Sequence, residues 1–464
     1  MLLKNKLTEI KSLLKNDNVL ANLEEHYCYA TDASNIEERI TTPDLVVFVE
    51  TIEDVQKVLS YANLHEIPVI ARGAGTNMVG SCVCNRGGII LNFSKMKKII
   101  DFSPSNMTIT VQPGVILGDI KILAEKHKLF FPPDPSNYKV STIGGAIAQS
   151  SGGAMSFKYG TIKDYVLSLK IVTAEGRVVN LGRGTMKDAA GYHLAQLMIG
   201  SEGTLGVIVE TTLKLIPMPE ARKSLIAYAN STEQAIEAVN KILSSNIFPA
   251  TIDYMDNNAL KTVEDFKRAG LKTNCDCALL IEVDGIATAL DSQVNKILEI
   301  LKVCNILEYQ LANTETETEN IWDARRASFA ATTRLAPDVV SDDIIVPRDK
   351  LTEIINKCKK ICSNYNLKLC MVGHIGDGNL HPQIALNLEN EEEYKNYQNA
   401  KAEIYSEVVK CGGSISAEHG IGLAKLPYLI NTIDRVALDY MKLIKKSFDP
   451  KNILNPDKIF VQDK

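Results

Sequence analysis

Glycine is concentrated in one part of this chain, and that concentration constrains the fold more than any other feature. Of the 28 glycines among 464 residues, 19 lie between Arg72 and Gly206. Glycine carries no Cβ, so it permits tight turns and lets the backbone come close to another group. This part of the chain is therefore expected to hold closely packed loops, around a ligand or around one another.

The segments around these glycines alternate between strand and helix patterns. Thr51 before an apolar periodic run predicts the start of a helix that continues to about Asn63. Apolar spacing also predicts an amphipathic N-terminal helix, with its apolar face at Leu7, Ile10, Leu13 and Leu14. The expected strands lie at 43–50, 67–71, 87–93 and 107–114, and a further helix lies at 115–128.

A domain boundary is expected near Pro217 and Pro219, because proline punctuates regular structure. Beyond it, strand and helix patterns alternate and predict a second α/β domain with an antiparallel sheet. A final helix is followed by a tail rich in proline and asparagine. The expected organisation is a helical segment at 1–41, a glycine-rich domain at 42–217, a second domain at 218–412, and a segment at 413–464 that returns to the glycine-rich domain.

Charge and cysteine content exclude several classes of protein. A net charge of -5 without any Lys/Arg block excludes an electrostatic nucleic-acid surface. No apolar run reaches the length of a membrane span, and the N-terminus resembles neither a signal nor a transit peptide, so a cytoplasmic location is expected. The ten cysteines are expected to be reduced. The C-x-C pairs 82/84 and 275/277 are expected to be small, buried, inert residues, and a four-thiolate metal site is the alternative. No cysteine run predicts an iron–sulfur centre.

Three loops combine glycine with hydroxyl residues. The first, at 72–80, follows a strand but matches neither a Rossmann turn nor a P-loop, because the third glycine and the G-K-[ST] signature are missing. The second pairs glycines at 144–145 and 152–153 among serines and a threonine, and the third is GSEGTLGVI at 200–208. Three such loops suit an extended ligand with a pyrophosphate and two ring systems.

The order of these motifs resembles the FAD-binding domain of the vanillyl-alcohol oxidase type of flavoprotein. The motifs are PVIARGAGT at 68–76, D-P-x(6)-T-I-G-G-x-I-A at 134–148, Tyr159-Gly160, and SEGTLG at 201–206. The C-terminal half is similar to the D-2-hydroxyacid dehydrogenase branch, and the resemblance runs from about Thr42 to Pro456. It implies an α+β fold, with an FAD-binding domain of two α+β subdomains and a substrate (cap) domain built on an antiparallel sheet.

The resemblance also implies the residues that contact FAD. The pyrophosphate, the ribityl chain with the isoalloxazine, and the adenine end would be held by different loops. Neither His nor Cys occurs at 72–77, so FAD is expected to be bound non-covalently. The implied contacts are Arg72, Gly73, Ala74, Gly75, Thr76, Asn77, Gly80, Ser81, Pro133, Asp134, Thr142, Gly144, Gly145, Ser151, Gly152, Tyr159, Glu202, Gly203, Ile208 and Asn455.

Two histidines flank a predicted hairpin turn. Apolar runs surround Gly376-Asp377-Gly378-Asn379, which is typical turn chemistry. With those four residues as the turn, His374 faces His381 directly across the hairpin. Opposed residues share a face of the sheet, so two imidazoles could bind one metal ion. The alternative is two polar residues at a strand end.

A carboxylate at Glu418 would complete a set of two histidines and one carboxylate, which suits one divalent ion such as zinc, manganese or iron. The resemblance implies that His374, His381 and Glu418 are the metal ligands and that His419 is the catalytic base. It also implies that Arg325 binds the substrate carboxylate, since an arginine fork matches a carboxylate. Arg326 is expected to point away on the helix, and Arg334 is the other cation between Ser328 and Ile345.

The expected function is FAD-dependent, metal-assisted oxidation of a small D-2-hydroxy acid, with D-lactate to pyruvate as the first choice. Glycolate oxidation as a catalytic subunit and D-2-hydroxyglutarate oxidation are the alternatives. A non-catalytic FAD electron-transfer subunit is the alternative of another class. The chain carries no NAD motif, so electrons are expected to pass to a partner such as electron-transfer flavoprotein or an iron–sulfur subunit. No nucleic-acid partner and no transmembrane segment are expected.

Overall fold

The computed structural model describes residues 4–20, 22–34 and 41–460. Its contacts divide the chain into two compact units. The first contains Met1–Gly152, Thr161–Met218 and Glu418–Lys464, and the second contains Gly153–Gly160 and Pro219–Ala417. Parts of the predicted terminal segments, namely residues 1–3, 21, 35–40 and 461–464, lie outside the described residues.

Helices and strands alternate along most of the chain. The helices are α1 (Lys4–Leu13), α2 (Leu23–His26), α3 (Ile52–His65), α4 (Leu117–Lys126), α5 (Ile143–Gln149), α6 (Ser156–Tyr159), α7 (Leu194–Met198), α8 (Thr232–Leu243), α9 (Asn257–Lys267), α10 (Ala287–Val303), α11 (Glu315–Arg326), α12 (Ser328–Thr332), α13 (Leu351–Asn364), α14 (Glu391–Lys410), α15 (Leu426–Leu429) and α16 (Arg435–Phe448). The strands are β1 (Leu45–Phe48), β2 (Val69–Arg72), β3 (Ile89–Asn92), β4 (Ile99–Ser103), β5 (Thr108–Val111), β6 (Leu129–Phe130), β7 (Val166–Val172), β8 (Val178–Leu181), β9 (Val207–Lys214), β10 (Ile216–Pro217), β11 (Ala221–Ala229), β12 (Thr251–Asp256), β13 (Cys277–Gly285), β14 (Glu308–Leu311), β15 (Asp338–Ser341), β16 (Ile344–Ile345), β17 (Lys368–His374) and β18 (Asn379–Leu386).

The first subdomain of the first unit is built on a parallel sheet in the order β1-β3-β2. Its strands are short apolar runs, as expected for parallel strands buried on both faces. Helix α3 starts where the sequence predicts, because Thr51 and Asp54 form a reciprocal capping box. Its buried face packs into the core of this sheet.

The second subdomain of the first unit is built on an antiparallel sheet in the order β4-β5-β9-β7-β8. Helices α4 and α5 contribute Ile120 and Ile143 to a separate hydrophobic core that also contains Ile171 and Leu213. Two sheets with separate cores form two α+β subdomains. This confirms the predicted class of the FAD-binding part.

The second unit holds one eight-stranded sheet, and its strand pairs are antiparallel as predicted. The strand order is β14-β11-β13-β12-β17-β18-β15, and β16 also pairs with β18. The central strands β12, β13 and β18 are almost wholly buried. A polar side chain on a central strand is therefore held in a desolvated environment.

The predicted register of the histidine hairpin is wrong by two residues. His374 pairs with Asn379, and His381 pairs with Val372. The turn is therefore 375–378, because Ile375 is buried and Asn379 belongs to β18, where its amide donates to Asp343 Oδ1 at 2.9 Å. A shift of two residues preserves the face, so the two histidines are diagonal neighbours on one side of the sheet.

The structure also differs from the expected boundaries at two places. Residues 413–417 belong to the second unit, where Ser414 forms a backbone bridge with Ile345. Residues 153–160 also belong to it, and Thr251 Oγ1 donates to the Ala154 carbonyl at 2.7 Å. The predicted C-terminal helix is two helices, because Asp434 caps a new start at α16. In the described ranges, no helix is both long and apolar enough to cross a bilayer.

Candidate active site

The glycine/hydroxyl loops line one cavity within the first unit. Its wall contains residues of all three loops, together with Glu418 and His419. Of the residues that the resemblance assigns to FAD, fourteen line this cavity: Arg72, Gly73, Ala74, Gly75, Thr76, Asn77, Ser81, Thr142, Gly144, Gly145, Ser151, Glu202, Gly203 and Ile208.

Glycine is required in the first loop because the loops pack closely against one another. A Cβ on Gly73 would lie 2.1 Å from Thr142 Oγ1, which belongs to the second loop. Gly75 has φ +73°, and a Cβ there would lie 2.2 Å from the Arg72 guanidinium. The loops thus form a nearly continuous wall of backbone with one buried cation, which fits an anionic, extended cofactor.

The other assigned residues lie elsewhere. Gly80, Pro133, Asp134, Gly152 and Asn455 are not among the residues that line the cavity. Asn455 supports the wall, because its amide donates to the Ser81 and Glu202 carbonyls at 2.7 and 2.6 Å. Tyr159 belongs to the second unit, where its hydroxyl donates to Asp284 Oδ2 at 2.7 Å.

Sequence reasoning missed several lining residues. The sequence carried a signal for most of them: Pro135 to Asn137 directly follow Asp134, Pro113 lies within the strand predicted at 107–114, and Ser141 and Ser201 lie inside the glycine/hydroxyl motifs. The missed lining residues include Pro113, Pro135, Ser136, Asn137, Ser141, Gln149 and Ser201.

His419 lies on a loop whose backbone is held by the Glu202 side chain. The Glu202 carboxylate accepts the backbone N–H groups of Ile421 at 2.7 Å and Gly422 at 2.8 Å, and the Ser81 hydroxyl donates to it. The Asn77 amide donates to the His419 carbonyl at 3.4 Å. Burial raises the pKa of Glu202, and these donors counteract that rise. The loop is therefore tied to the cavity wall on both sides of Gly420.

Cys82 is a cysteine that lines the cavity. Burial, followed by the nearby Asp32 carboxylate, raises its pKa to about 12. The nucleophilic form of cysteine is the thiolate. Cys82 therefore stays a thiol at neutral pH, which argues against a covalent link to a cofactor there.

The two histidines of the hairpin have their Nδ1 atoms engaged. Their ring centroids lie 5.2 Å apart in an edge-to-face arrangement. His374 Nδ1 lies 2.7 Å from Asp253 Oδ1, and His381 Nδ1 lies 3.3 Å from the Asp342 carbonyl. A carboxylate or carbonyl at one ring nitrogen is the usual partner of a metal-ligating histidine. This donor set fits a metal ion, which each ring would bind through Nε2.

Asp343 is a buried carboxylate beside the hairpin that sequence reasoning missed. It accepts the Ser416 hydroxyl at 3.0 Å and the Ala417 backbone N–H at 2.9 Å. One of its oxygens lies 4.0 Å from His381 Nδ1. Asp343 therefore fixes the two residues that precede Glu418 in the chain. The available signal was the pair Asp342-Asp343 directly before the apolar run Ile344-Ile345-Val346.

Arg325 lies buried on α11, and its guanidinium is held from two sides. Nε lies 2.7 Å from Asp253 Oδ2, and Nη1 donates to Ser328 Oγ at 3.4 Å. Burial raises the pKa of Asp253, but His374 and Arg325 outweigh it and hold that pKa below the ordinary value. Arg326 forms ion pairs with Glu319 and Asp323 instead.

Two known protein families match this chain, one in each of its two parts. The family described as "FAD binding domain" matches residues 43–182, and "FAD linked oxidases, C-terminal domain" matches residues 218–459. The glycolate oxidase subunit GlcD of Bacillus subtilis (strain 168) is 39% identical over 91% of this chain and 90% of its own. A D-lactate dehydrogenase of Anaerostipes hadrus is 34% identical over 90% and 89%.

Solved structures share the fold at low sequence identity. The crystal structure of p-cresol methylhydroxylase with substrate bound superposes with a TM-score of 0.82. It is 17% identical, and the match covers 98% of this chain and 97% of that one. At this level of identity, the likeness shows a shared fold and does not indicate a shared function.

Proposed function

The chain belongs to the FAD-linked oxidases, and from that membership we propose that it oxidises a small D-2-hydroxy acid, with D-lactate giving pyruvate. The observation that carries the proposal is the buried network of the second unit. There Asp253 joins His374 to Arg325, so a histidine suited to a metal and an arginine suited to a carboxylate are held together. A 2-hydroxy acid presents a hydroxyl and a carboxylate on neighbouring carbons, and these are the groups that such a pair recognises.

Each protein group has one role in the proposed reaction. The glycine-rich cavity would hold FAD, which would supply a hydride acceptor for C2, and His374, His381 and Glu418 would hold a divalent ion, which would supply a Lewis acid for the hydroxyl. Arg325 binds the carboxylate and orients the substrate. His419 removes the hydroxyl proton as general base. Asn77 and Glu202 hold the loop that carries His419.

His374, His381 and Glu418 are the proposed metal ligands. Two imidazoles and one carboxylate suit zinc, manganese or iron. Asp343 supports the set because it fixes the residues preceding Glu418 and lies beside His381. FAD is proposed to lie along the glycine-rich cavity, and contacts from Gly80, Pro133, Asp134, Gly152 and Tyr159 remain predictions.

The substrate is proposed to carry a single carboxylate. The contacts of Arg325 are with Asp253 and Ser328, and neither adds a positive charge. Arg334 is exposed and stacks over the Phe266 ring at 5.8 Å. A second carboxylate, as in D-2-hydroxyglutarate, therefore has no assigned cation. Glycolate remains the alternative, because a relative is named a glycolate oxidase subunit.

A substrate panel tests this choice. Purified protein is assayed with a dye acceptor on D-lactate, L-lactate, glycolate and D-2-hydroxyglutarate. The expected result is the highest kcat/KM on D-lactate and almost none on L-lactate. A preference for D-2-hydroxyglutarate would show that the assignment of the second carboxylate is wrong. A preference for glycolate would leave the reaction class intact and replace the substrate.

The flavin is expected to be released intact by acid. The high pKa of Cys82 and the absence of His and Cys at 72–77 motivate non-covalent binding. Acid-precipitated protein should leave FAD in the supernatant, where chromatography separates it from FMN. Flavin fluorescence that stays with the denatured chain on a gel would contradict the prediction.

Arg325→Lys is expected to raise KM for D-lactate by about tenfold or more with a smaller effect on kcat. Lysine keeps the charge but loses the planar fork, and a contact made in both ground and transition states appears mainly in KM. Arg326→Lys is the matched control, because Arg326 pairs with Glu319 and Asp323 on the same helix. An unchanged KM for Arg325→Lys would remove Arg325 from the substrate site.

The electron acceptor is proposed to be a separate carrier, such as electron-transfer flavoprotein or an iron–sulfur subunit. A non-catalytic FAD subunit remains the alternative of another class. It would bind FAD but show no reduction by any 2-hydroxy acid. The cytoplasmic location remains a prediction from the sequence.

A further inference from the structure

Asp253 is a buried carboxylate on a central strand, where a charge is costly. Every residue of β12 is buried, and the Asp253 side chain is 1% exposed. Removing a carboxylate from water costs several kcal/mol unless partners compensate it. The Asp253 carboxylate must therefore be stabilised by the groups that contact it.

The strand register brings Asp253 to His374. Tyr254 pairs with Gly373 across β12 and β17, so Asp253 comes opposite His374 one step further along. The two carboxylate oxygens are divided between two partners. Oδ1 lies 2.7 Å from His374 Nδ1, and Oδ2 lies 2.7 Å from Arg325 Nε.

We propose that Asp253 is a positioning residue that fixes His374 and Arg325 at the same time. The inference rests on the proposed function, because it takes His374 as a metal ligand and Arg325 as the carboxylate clamp. A carboxylate at Nδ1 selects the tautomer that carries its proton there, and this leaves Nε2 as the metal-binding nitrogen. At Arg325, Asp253 contacts Nε and Ser328 contacts Nη1, and together these contacts fix the plane of the guanidinium.

Asp253→Asn tests the role in the FAD-loaded, metal-stripped protein. The Asn amide group would donate to His374 Nδ1 and so place the imidazole proton on Nε2. Zn²⁺ binding, measured by calorimetry, is expected to weaken by about 10–100-fold. At saturating Zn²⁺, KM for D-lactate is expected to remain raised, because Arg325 loses its charged partner. The flavin spectrum should not change.

Asp256→Asn is the matched control. Asp256 lies on the same strand, is 3% exposed, and caps α9 by accepting the Ala259 N–H at 2.9 Å. Asparagine is an equally good N-cap, so the fold should tolerate the change. Zn²⁺ affinity and KM should stay within about twofold of the wild type.

The outcomes separate this inference from the proposed function. Wild-type protein that binds no Zn²⁺ would count against the proposed metal site itself. Wild-type binding with equal affinity in Asp253→Asn would overturn the role of Asp253 and leave the proposed function standing. A lower melting temperature with unchanged Zn²⁺ affinity and KM would show that Asp253 is merely structural.

A second measurement needs no variant at Asp253. The chain has seven histidines, so ¹⁵N-histidine spectra of the wild type are simple enough to interpret. His374→Gln identifies the His374 signals. In metal-free protein at alkaline pH, where the ring carries a single proton, the proposal predicts that this proton lies on Nδ1. A ring protonated at Nε2 would contradict it even if Asp253→Asn fails to fold.

Discussion

His419→Ala is expected to lower kcat by about 10²–10⁴-fold, the range in which a general base contributes. His419 would act on the hydroxyl proton, whose transfer belongs to the chemical step, so KM should change much less. FAD binding should survive, because His419 is one of about thirty residues that line the cavity and Glu202 still anchors its loop through backbone N–H groups. The measurement is steady-state turnover with D-lactate, together with the flavin absorbance spectrum.

His193→Ala is the control for this variant, since His193 is an exposed histidine of the same unit. It should retain activity within about twofold. A His419→Ala enzyme that keeps more than about a tenth of the wild-type kcat would exclude His419 as the base. Loss of flavin in the variant would instead indicate a structural role for the loop.

His381→Ala is expected to reduce turnover by at least about 10³-fold and to remove the bound metal. If His381 is a metal ligand as proposed, the variant loses one imidazole ligand, and the substrate hydroxyl would then lack a Lewis acid to lower its pKa. Because His381 belongs to the second unit, FAD content should stay near that of the wild type. Elemental analysis and turnover are measured on the same undialysed sample.

Added metal distinguishes the alternatives for His381→Ala. Millimolar Zn²⁺ or Mn²⁺ should restore part of the turnover, since His374 and Glu418 remain. Active wild-type enzyme that contains no divalent metal would contradict the metal assignment. The His193→Ala variant should keep the wild-type metal content.

Motifs carried by neighbouring residues made the FAD part predictable. Thr51 and Asp54 mark the start of α3 because they form its capping box. The glycines at 73, 75, 144 and 145 indicate loops in which another group approaches the backbone closely. These signals are local, because a cap or a turn is decided within a few residues. The strands of this part were likewise predicted from apolar runs of strand length, but their parallel or antiparallel pairing was not.

Partners that are distant in the chain could not be predicted. Asp253 lies 121 residues from His374, and no spacing rule brings β12 beside β17. The hairpin register failed for a related reason. The polar residue Asn379 looks like part of a turn, but its amide is satisfied by Asp343 and the Ile344 carbonyl, so it is stable within the strand. The hydrogen bonds of Asn379 to residues that are distant in the chain therefore determine where the turn ends, and the local sequence does not.

Anaerobic mixing of the purified, metal-loaded protein with D-lactate tests whether its flavin oxidises a D-2-hydroxy acid. The oxidised-flavin absorbance is expected to bleach within one turnover, pyruvate should form in equal amount, and L-lactate should leave the spectrum oxidised. Flavin that is reduced by dithionite but stays oxidised with D-lactate, glycolate and D-2-hydroxyglutarate would contradict the proposed function.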